Sequence, residues 1–234
     1  MTLEKENALV LFARDPVPGK VKTRLGPLLD AETICNLYTR FLDDSLDKLR
    51  RVNEADGFVG VYPALETGYF NHPGDLASVS VFVQQGEDLG ERMRNAFVEG
   101  FARGYRRVVI VGSDSPSLPV EYIRMAFRSE KDVVLGPATD GGYYLIGMKG
   151  RMVEVFDGIE WGGDRVLSDT LVRIKAAGVG IEALPVWYDV DRPEDLKFLH
   201  SHLNLLRLAG GTPEGEATRD LLDRINFQGT LYIL

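Results

Sequence analysis

Two kinds of hydrophobic pattern take turns along this chain. Short apolar, β-branched runs bounded by glycine, proline or polar residues alternate with longer stretches whose apolar positions recur every three or four residues. The first kind reads as strands buried on both faces, the second as helices with one apolar stripe. The pattern predicts strands at Ala8–Ala13, Gly57–Tyr62, Ser78–Val83, Val108–Val111, Val133–Leu135, Tyr143–Met148 and Ile181–Val186. It predicts helices over Asp30–Arg51, Glu87–Arg103, Arg165–Ala177 and Glu194–Leu203, and a short terminal helix over Ala217–Arg224. Ile34, Leu37, Tyr38, Phe41, Leu42, Ser45 and Leu49 share one side of the first helix, with Asp30 placed as its N-cap. Pro193 suits the first turn of another. The segment between Leu118 and Asp132 is read as a short bridge. Strand–helix alternation of this kind predicts an α/β protein: a three-layer αβα arrangement around a mostly parallel sheet. One domain over residues 1–208 accounts for most of the chain. Residues 209–234 read as a glycine-containing flexible joint followed by a C-terminal helix and tail.

Composition narrows the class. A chain of 234 residues, 44% apolar and 26% charged, can bury a full core. Its net charge of −8 argues against a broad nucleic-acid or anionic-membrane surface, but leaves room for one local basic pocket. A single cysteine, Cys35, excludes an internal disulfide framework. The apolar stretch near the N-terminus is too short for a signal peptide, and no run approaches the roughly 18 apolar residues of a membrane span. A cytoplasmic protein is the expectation, and a homodimer is compatible with it.

The chemistry collects where strands end. Val108–Val111 runs into Gly112-Ser113-Asp114-Ser115-Pro116, and Val133–Leu135 leads towards Asp140-Gly141-Gly142-Tyr143. Ligands of open α/β sheets sit just beyond the carboxyl ends of such strands. Asp114 and Asp140 therefore stand where chemistry is done, although a lone aspartate in a turn is also a common structural cap. Asp140 is suited to orient an acceptor hydroxyl or act as a general base, and Gly141 and Gly142 permit close approach. Tyr143 and Tyr144 must point to opposite sheet faces, so one can stack over a ligand while the other is core. Trp161, beside two glycines, is either an acceptor-side cap or a core anchor. The first strand empties into Arg14–Leu25, which concentrates Arg14, Lys20, Lys22 and Arg24 in an acidic protein. Ammonium and guanidinium groups beside exposed amides suit a diphosphate. The glycine spacing fits neither a Walker loop nor GxGxxG.

FARDPVPGKVKTRL, QQGEDLGERM, GSDSPSL, GPATDGGYYLIG and YDVDRPEDL, in that order between about Ala8 and Leu199, resemble the signatures of a bacterial glycosyltransferase-like family. That family has the nucleotide-diphospho-sugar transferase (GT-A, Rossmann-like) fold, and some members are named for arsenosugar biosynthesis. A weaker similarity extends to nucleotidyltransferases of the phospholactate guanylyltransferase and molybdenum cofactor type. The resemblance implies a metal-dependent transferase taking a nucleotide sugar, or a nucleoside triphosphate, and passing a group to a small-molecule acceptor. It implies that Ala13 and Arg14 line the nucleoside pocket, that Lys22 and Arg24 meet phosphates, and that Gln85 and Gly86 approach the base. A plain strand-to-helix turn is the alternative for Gln85 and Gly86. Ser113 and Asp114 fall on the nucleotide, and Gly141, Gly142, Tyr143 and Trp161 on the acceptor. GSDSP matches the position usually written DxD, with one acid instead of two. Asp114 would bind Mg²⁺ or Mn²⁺, joined by Asp189 and Asp191 of the DxDTPEDL-like segment, which alternate onto the same side. Asp191 is equally placed to cap the Pro193 helix. Nucleotidyl transfer with release of pyrophosphate is the alternative reaction, and a non-catalytic nucleotide-binding protein the alternative outside enzymology.

Overall fold

The computed structural model describes residues 4–71, 79–211 and 214–225. Seven strands form one sheet: β1 (Asn7–Arg14), β2 (Asp56–Tyr62), β3 (Val79–Val83), β4 (Arg107–Gly112), β5 (Val133–Pro137), β6 (Tyr143–Lys149) and β7 (Ile181–Ala183). Their order is β3-β2-β1-β4-β6-β5-β7. All neighbours run parallel except β6, which is antiparallel to both β4 and β5. The helices are α1 (Ala31–Arg51), α2 (Leu89–Ala102), α3 (Val120–Arg128), α4 (Val166–Ala177), α5 (Pro193–Leu208) and α6 (Glu216–Arg224).

Side-chain alternation along the central strands feeds two cores. Leu9, Leu11 and Ala13 of β1, with Val109 and Val111 of β4, face α1, α3, α5 and α6. Ala8, Val10, Phe12, Val108 and Ile110 face the other way, onto α2 and α4. A strand buried on both faces has no polar side to show, which is why these runs are continuously apolar. The helix starts are set by acids: Asp30 accepts from the Thr33 amide at 3.0 Å, and Asp88 from the Glu91 amide at 2.8 Å. Asp195 reaches back to the amides of Arg192 at 2.8 Å and Asp191 at 3.1 Å.

Two parts of the fold depart from the pattern reading. The bridge between β4 and β5 contains α3, whose Val120, Ile123 and Ala126 are buried at helical spacing. The last strand stops at Ala183. Leu184 and Trp187 still donate to the carbonyls of Leu135 and Pro137, but Pro185 has no amide to continue the ladder. The C-terminal helix expected over Ala217–Arg224 is present as α6 and packs on α1. Asp44 of α1 accepts from the amides of Ala217 and Thr218 and from the Thr218 hydroxyl, and Leu222 is fully buried. Ser78 and the tail 226–234 lie outside the described residues.

The chain leaves β1 towards β2 and β3 on one side, then returns to place β4 on the other. The crevice between the carboxyl ends of β1 and β4 is therefore the topological switch point of this sheet, where α/β proteins hold their ligands.

Candidate functional site

A cleft of about 930 Å³ opens at that crevice. The turn after β1 enters it through an uncommon backbone. Lys22 has φ 45°, the only left-handed non-glycine among the described residues. Such a conformation is sparsely populated and persists where the surroundings enforce it. It carries the Lys22 side chain inward, 6% exposed, until Nζ stands 2.6 Å from Asp114 Oδ1 and 2.7 Å from Asp191 Oδ1. Burial alone would lower this lysine's pKa; the charges of Asp114 and Asp191 outweigh it and hold the ammonium above its usual range. For Asp191, burial pushes upward and the Lys22 ammonium, with Arg24 behind it, pulls further down. Arg24 stays largely exposed, with Nη1 3.9 Å from Asp191 Oδ2.

Two distant segments meet here through backbone as well as side chain. The Val190 amide donates to the Asp114 carbonyl at 2.9 Å, so residues 188–191 lie along the loop after β4. Val190 is buried, while Asp189 and Asp191 on either side of it line the cleft. Asp189 accepts a short hydrogen bond from the Ser115 hydroxyl. Burial, reinforced by the Asp114 charge, pushes the Asp189 carboxyl up to about 7, against the opposing pull of Ser115 and Lys22. Asp191 does not cap α5, since Asp195 does that; its carboxylate belongs to Lys22.

The loop 112–119 is held from behind. Tyr38 of α1 stands 3.0 Å from the Ser113 hydroxyl and accepts from the Arg14 amide at 2.9 Å, tying β1 to β4 at the cleft floor. Lys48, buried on the same helix, donates to the carbonyls of Ser115 at 3.3 Å and Pro116 at 2.6 Å. Burial lowers its pKa to about 8, against the nearby carboxylates of Asp44, Glu214 and Asp47. Glu214 meanwhile accepts from the Val120 amide where the loop enters α3. Sequence reasoning passed over Lys48 and Tyr38. A charged residue at position 48 of an otherwise apolar stripe was the signal available for the first.

On the opposite wall, Asp140 Oδ1 accepts from the Gly142 amide at 2.9 Å and keeps its carboxyl at the surface of the cleft. Gly141 has φ 92°, and a Cβ there would fall 2.1 Å from the Asp164 carbonyl oxygen. Only glycine permits that packing of the two loops. Gly142, Tyr143 and Trp161 line the cleft, while Gly141 lies behind it. Tyr143 and Tyr144 do face opposite cores. The Trp161 indole lies against Gly90 at the start of α2, where a Cβ would come within 2.6 Å of the ring.

The remaining side is basic and aromatic. Ala13 and Arg14 line it, as does Tyr62, whose ring has the Arg92 guanidinium 4.0 Å from its centroid and that of Arg14 5.6 Å away. Gln84 faces the cleft, with its amide donating to the Gly60 carbonyl at 2.7 Å. Gln85 and Gly86 lie outside the cleft lining. The Gln85 amide is exposed and donates to the Val83 carbonyl, because alternation along β3 turns it away from its neighbour.

One point in the cleft thus receives a hard carboxylate oxygen from each of two segments, with both carboxylates partly exposed on their open side. That suits a divalent cation completed by phosphate oxygens and water, the usual way Mg²⁺ is held. Among the described residues, no group of three or more His, Cys, Asp or Glu side chains is gathered to hold an ion unaided. No described helix is long and apolar enough to cross a membrane.

A mostly parallel sheet of this strand order, with β6 reversed and the cleft at the switch point, has the nucleotide-diphospho-sugar transferase fold of the first relative below. The chain belongs to the family described as "Uncharacterized protein conserved in bacteria (DUF2064)", whose profile matches residues 45–163. It is 35% identical, with a TM-score of 0.85, to a protein from Desulfovibrio desulfuricans G20 assigned provisionally as a nucleotide-diphospho-sugar transferase, over 95% of this chain and 96% of that one. A cytidylyltransferase from Leptospira borgpetersenii serovar Hardjo-bovis (strain JB197) shares the fold at 13% identity and a TM-score of 0.53, covering 97% and 96% of the two chains. A 4-diphosphocytidyl-2C-methyl-D-erythritol synthase does so at 13% identity and 0.52, over 86% of this chain and all of that one. No curated protein sequence matches significantly.

Proposed function

We propose that this protein is a glycosyltransferase that binds a nucleoside diphosphate-activated sugar in the β1/β4 cleft and passes the sugar to a small hydroxyl-bearing acceptor. One observation carries this reading: Asp114 and Asp191, which lie far apart in the sequence, converge with the cationic turn on a single point of a switch-point cleft. The provisional assignment of the 35%-identical protein supports the same class.

The roles follow from position. Arg24 borders the acids and presents a guanidinium fork to the diphosphate, with Arg14 and Arg92 extending the basic wall beside Tyr62. Ala13 and Tyr62 form the nucleoside side. A divalent cation such as Mg²⁺ or Mn²⁺, bound through Asp114 and Asp191, would neutralise charge developing on the departing diphosphate. Asp189 stands behind Ser115 as a buried carboxyl that exchanges its proton near neutral pH. Across the cleft, Asp140 orients the acceptor hydroxyl, and Gly142, Tyr143 and Trp161 shape its seat.

The test is a panel of nucleotides and nucleotide sugars incubated with protein and Mn²⁺. Release of a nucleoside diphosphate from a nucleotide sugar is expected. Release of pyrophosphate from a nucleoside triphosphate would replace sugar transfer with nucleotidyl transfer. Metal-dependent thermal stabilisation with neither product would reduce the protein to a nucleotide-binding module.

A further inference from the structure

We propose that the Lys22 ammonium is a built-in counter-ion that bars a divalent cation from the Asp114–Asp191 pair until a phosphate group in the cleft receives it. The inference rests on reading this cleft as a diphosphate site, and adds to that reading an obligatory coupling between metal and anion.

The geometry states the conflict. Nζ lies 2.6 Å from one carboxylate oxygen and 2.7 Å from the other, which is the position a cation held by both would need. An ammonium and a divalent ion cannot share it. Lys22 is also no loosely tethered surface group. Its backbone is left-handed, its side chain is buried, and Nζ lies 5.9 Å from the centroid of the Phe41 ring. The aromatic floor stabilises a cation there only modestly.

Energetics then decide the order of events. Pulling Lys22 away from both acids with nothing to replace them leaves an unpaired charge in a buried place, one of the costlier changes a protein can undergo. A divalent ion arriving alone must meet that penalty and also shed part of its own tightly held water. A phosphate oxygen removes the penalty, because it offers the displaced ammonium a charge-assisted hydrogen bond in the same cleft. Metal and anion should therefore bind with positive coupling, each raising the affinity for the other by the same factor.

Equilibrium dialysis of Mn²⁺ tests this without any turnover, using three samples: wild type alone, wild type with equal inorganic pyrophosphate on both sides of the membrane, and Lys22→Met alone. Wild type alone should retain little Mn²⁺, and pyrophosphate should raise retention to about one ion per chain, as a two-carboxylate site completed by phosphate requires. Lys22→Met alone should bind Mn²⁺ at least about tenfold more tightly than wild type alone. Lys22→Gln is the second variant should the first fold poorly, and the absence of a pyrophosphate effect on wild type overturns the idea even if neither folds. Equal Mn²⁺ binding by wild type and the variant, or no effect of pyrophosphate on wild type, overturns the counter-ion role. If nucleotide sugars are turned over while wild type and variant bind Mn²⁺ equally, the counter-ion idea falls and the transferase stands. If the dialysis pattern holds but no donor reacts, the reverse is true.

Discussion

Two loops leave the same edge of the sheet, residues 112–119 after β4 and residues 84–88 after β3, and both carry polar, glycine-containing sequence into a helix. In the first, the side chains are engaged with other segments: Ser113 with Tyr38, Asp114 with Lys22, Ser115 with Asp189 and Ser117 with Tyr188. Its carbonyls are gripped from below by Lys48. In the second, Gln84 donates to the Gly60 carbonyl of the neighbouring strand, and beyond it the bonds are local. Gln85 returns to Val83, Asp88 caps α2, and the Glu87 amide donates to Glu91. A loop cross-linked to three distant segments is preorganised for a ligand, whereas one satisfied largely by its own neighbours is a way of starting a helix.

Changes on either side can break or sharpen that contrast. The largest effect is expected from Asp114→Ala, which removes one of the two acids on the cation point. Donor turnover should fall at least about 100-fold, the scale of losing a charge-stabilising group at a reacting centre. Metal-dependent nucleotide binding should go with it, and unchanged binding by equilibrium dialysis would remove Asp114 from the site. Next is Lys48→Met, which takes the lysine donor from the Pro116 carbonyl and leaves that of Ser115 to the Leu118 amide. Urea unfolding should show a loss of about 1–3 kcal/mol, and nucleotide affinity should drop as the loop loosens. Full affinity at reduced stability would mean that the loop holds itself.

The Asp189 carboxyl gives a smaller effect with a definite sign. Its ordinary value is 3.8 and burial raises it to about 7. Between those limits the native protein keeps a proton that the unfolded chain releases, so this group's contribution to stability declines as pH rises. Wild type measured against Asp189→Asn by urea unfolding should therefore lose ground from the acid to the neutral end of that window. A pH-independent difference would show that the carboxyl is not held in this way. The smallest effect belongs to Gln85→Ala: less than about twofold in nucleotide binding and within about 0.5 kcal/mol in stability, as for an ordinary surface site. A tenfold loss of nucleotide affinity measured by calorimetry would make the β3 loop part of the site and erase the contrast.

What sequence could disclose follows the same division. The central strands were legible because double-sided burial forces unbroken apolar runs, and α1 and α2 because Asp30 and Asp88 cap clear stripes. The helix α3 was not, because it is only nine residues long and its stripe follows directly on Pro119. The reversed direction of β6 leaves no trace in Tyr143–Lys149, since an apolar run looks alike in either orientation. At the site, the charge types were visible and their pairing was not. Arg14, Lys20, Lys22 and Arg24 read as one basic group suited to a diphosphate, yet burial and a left-handed turn give Lys22 to Asp114 and Asp191, and Lys20 pairs with Glu66. Gln84 and Gln85 are interchangeable as letters; only strand phase decides which one sees the cleft. Asp44 and Lys48 tie the C-terminal helix and the Asp114 loop to α1 through side chains that composition alone assigns to the surface.

The contact between Gly90 and Trp161 bears on the width of the cleft on the side proposed for the acceptor. A glycine inside a helix forgoes about 0.5–1 kcal/mol relative to alanine, and here the indole fills the space thus left, 2.6 Å from where a Cβ would be. The position of the Trp161 indole on the cleft wall is set by a missing methyl group on a helix. Adding that methyl would firm the helix and thrust the indole into the opening, so the range of admitted partners would change at a residue that never touches them.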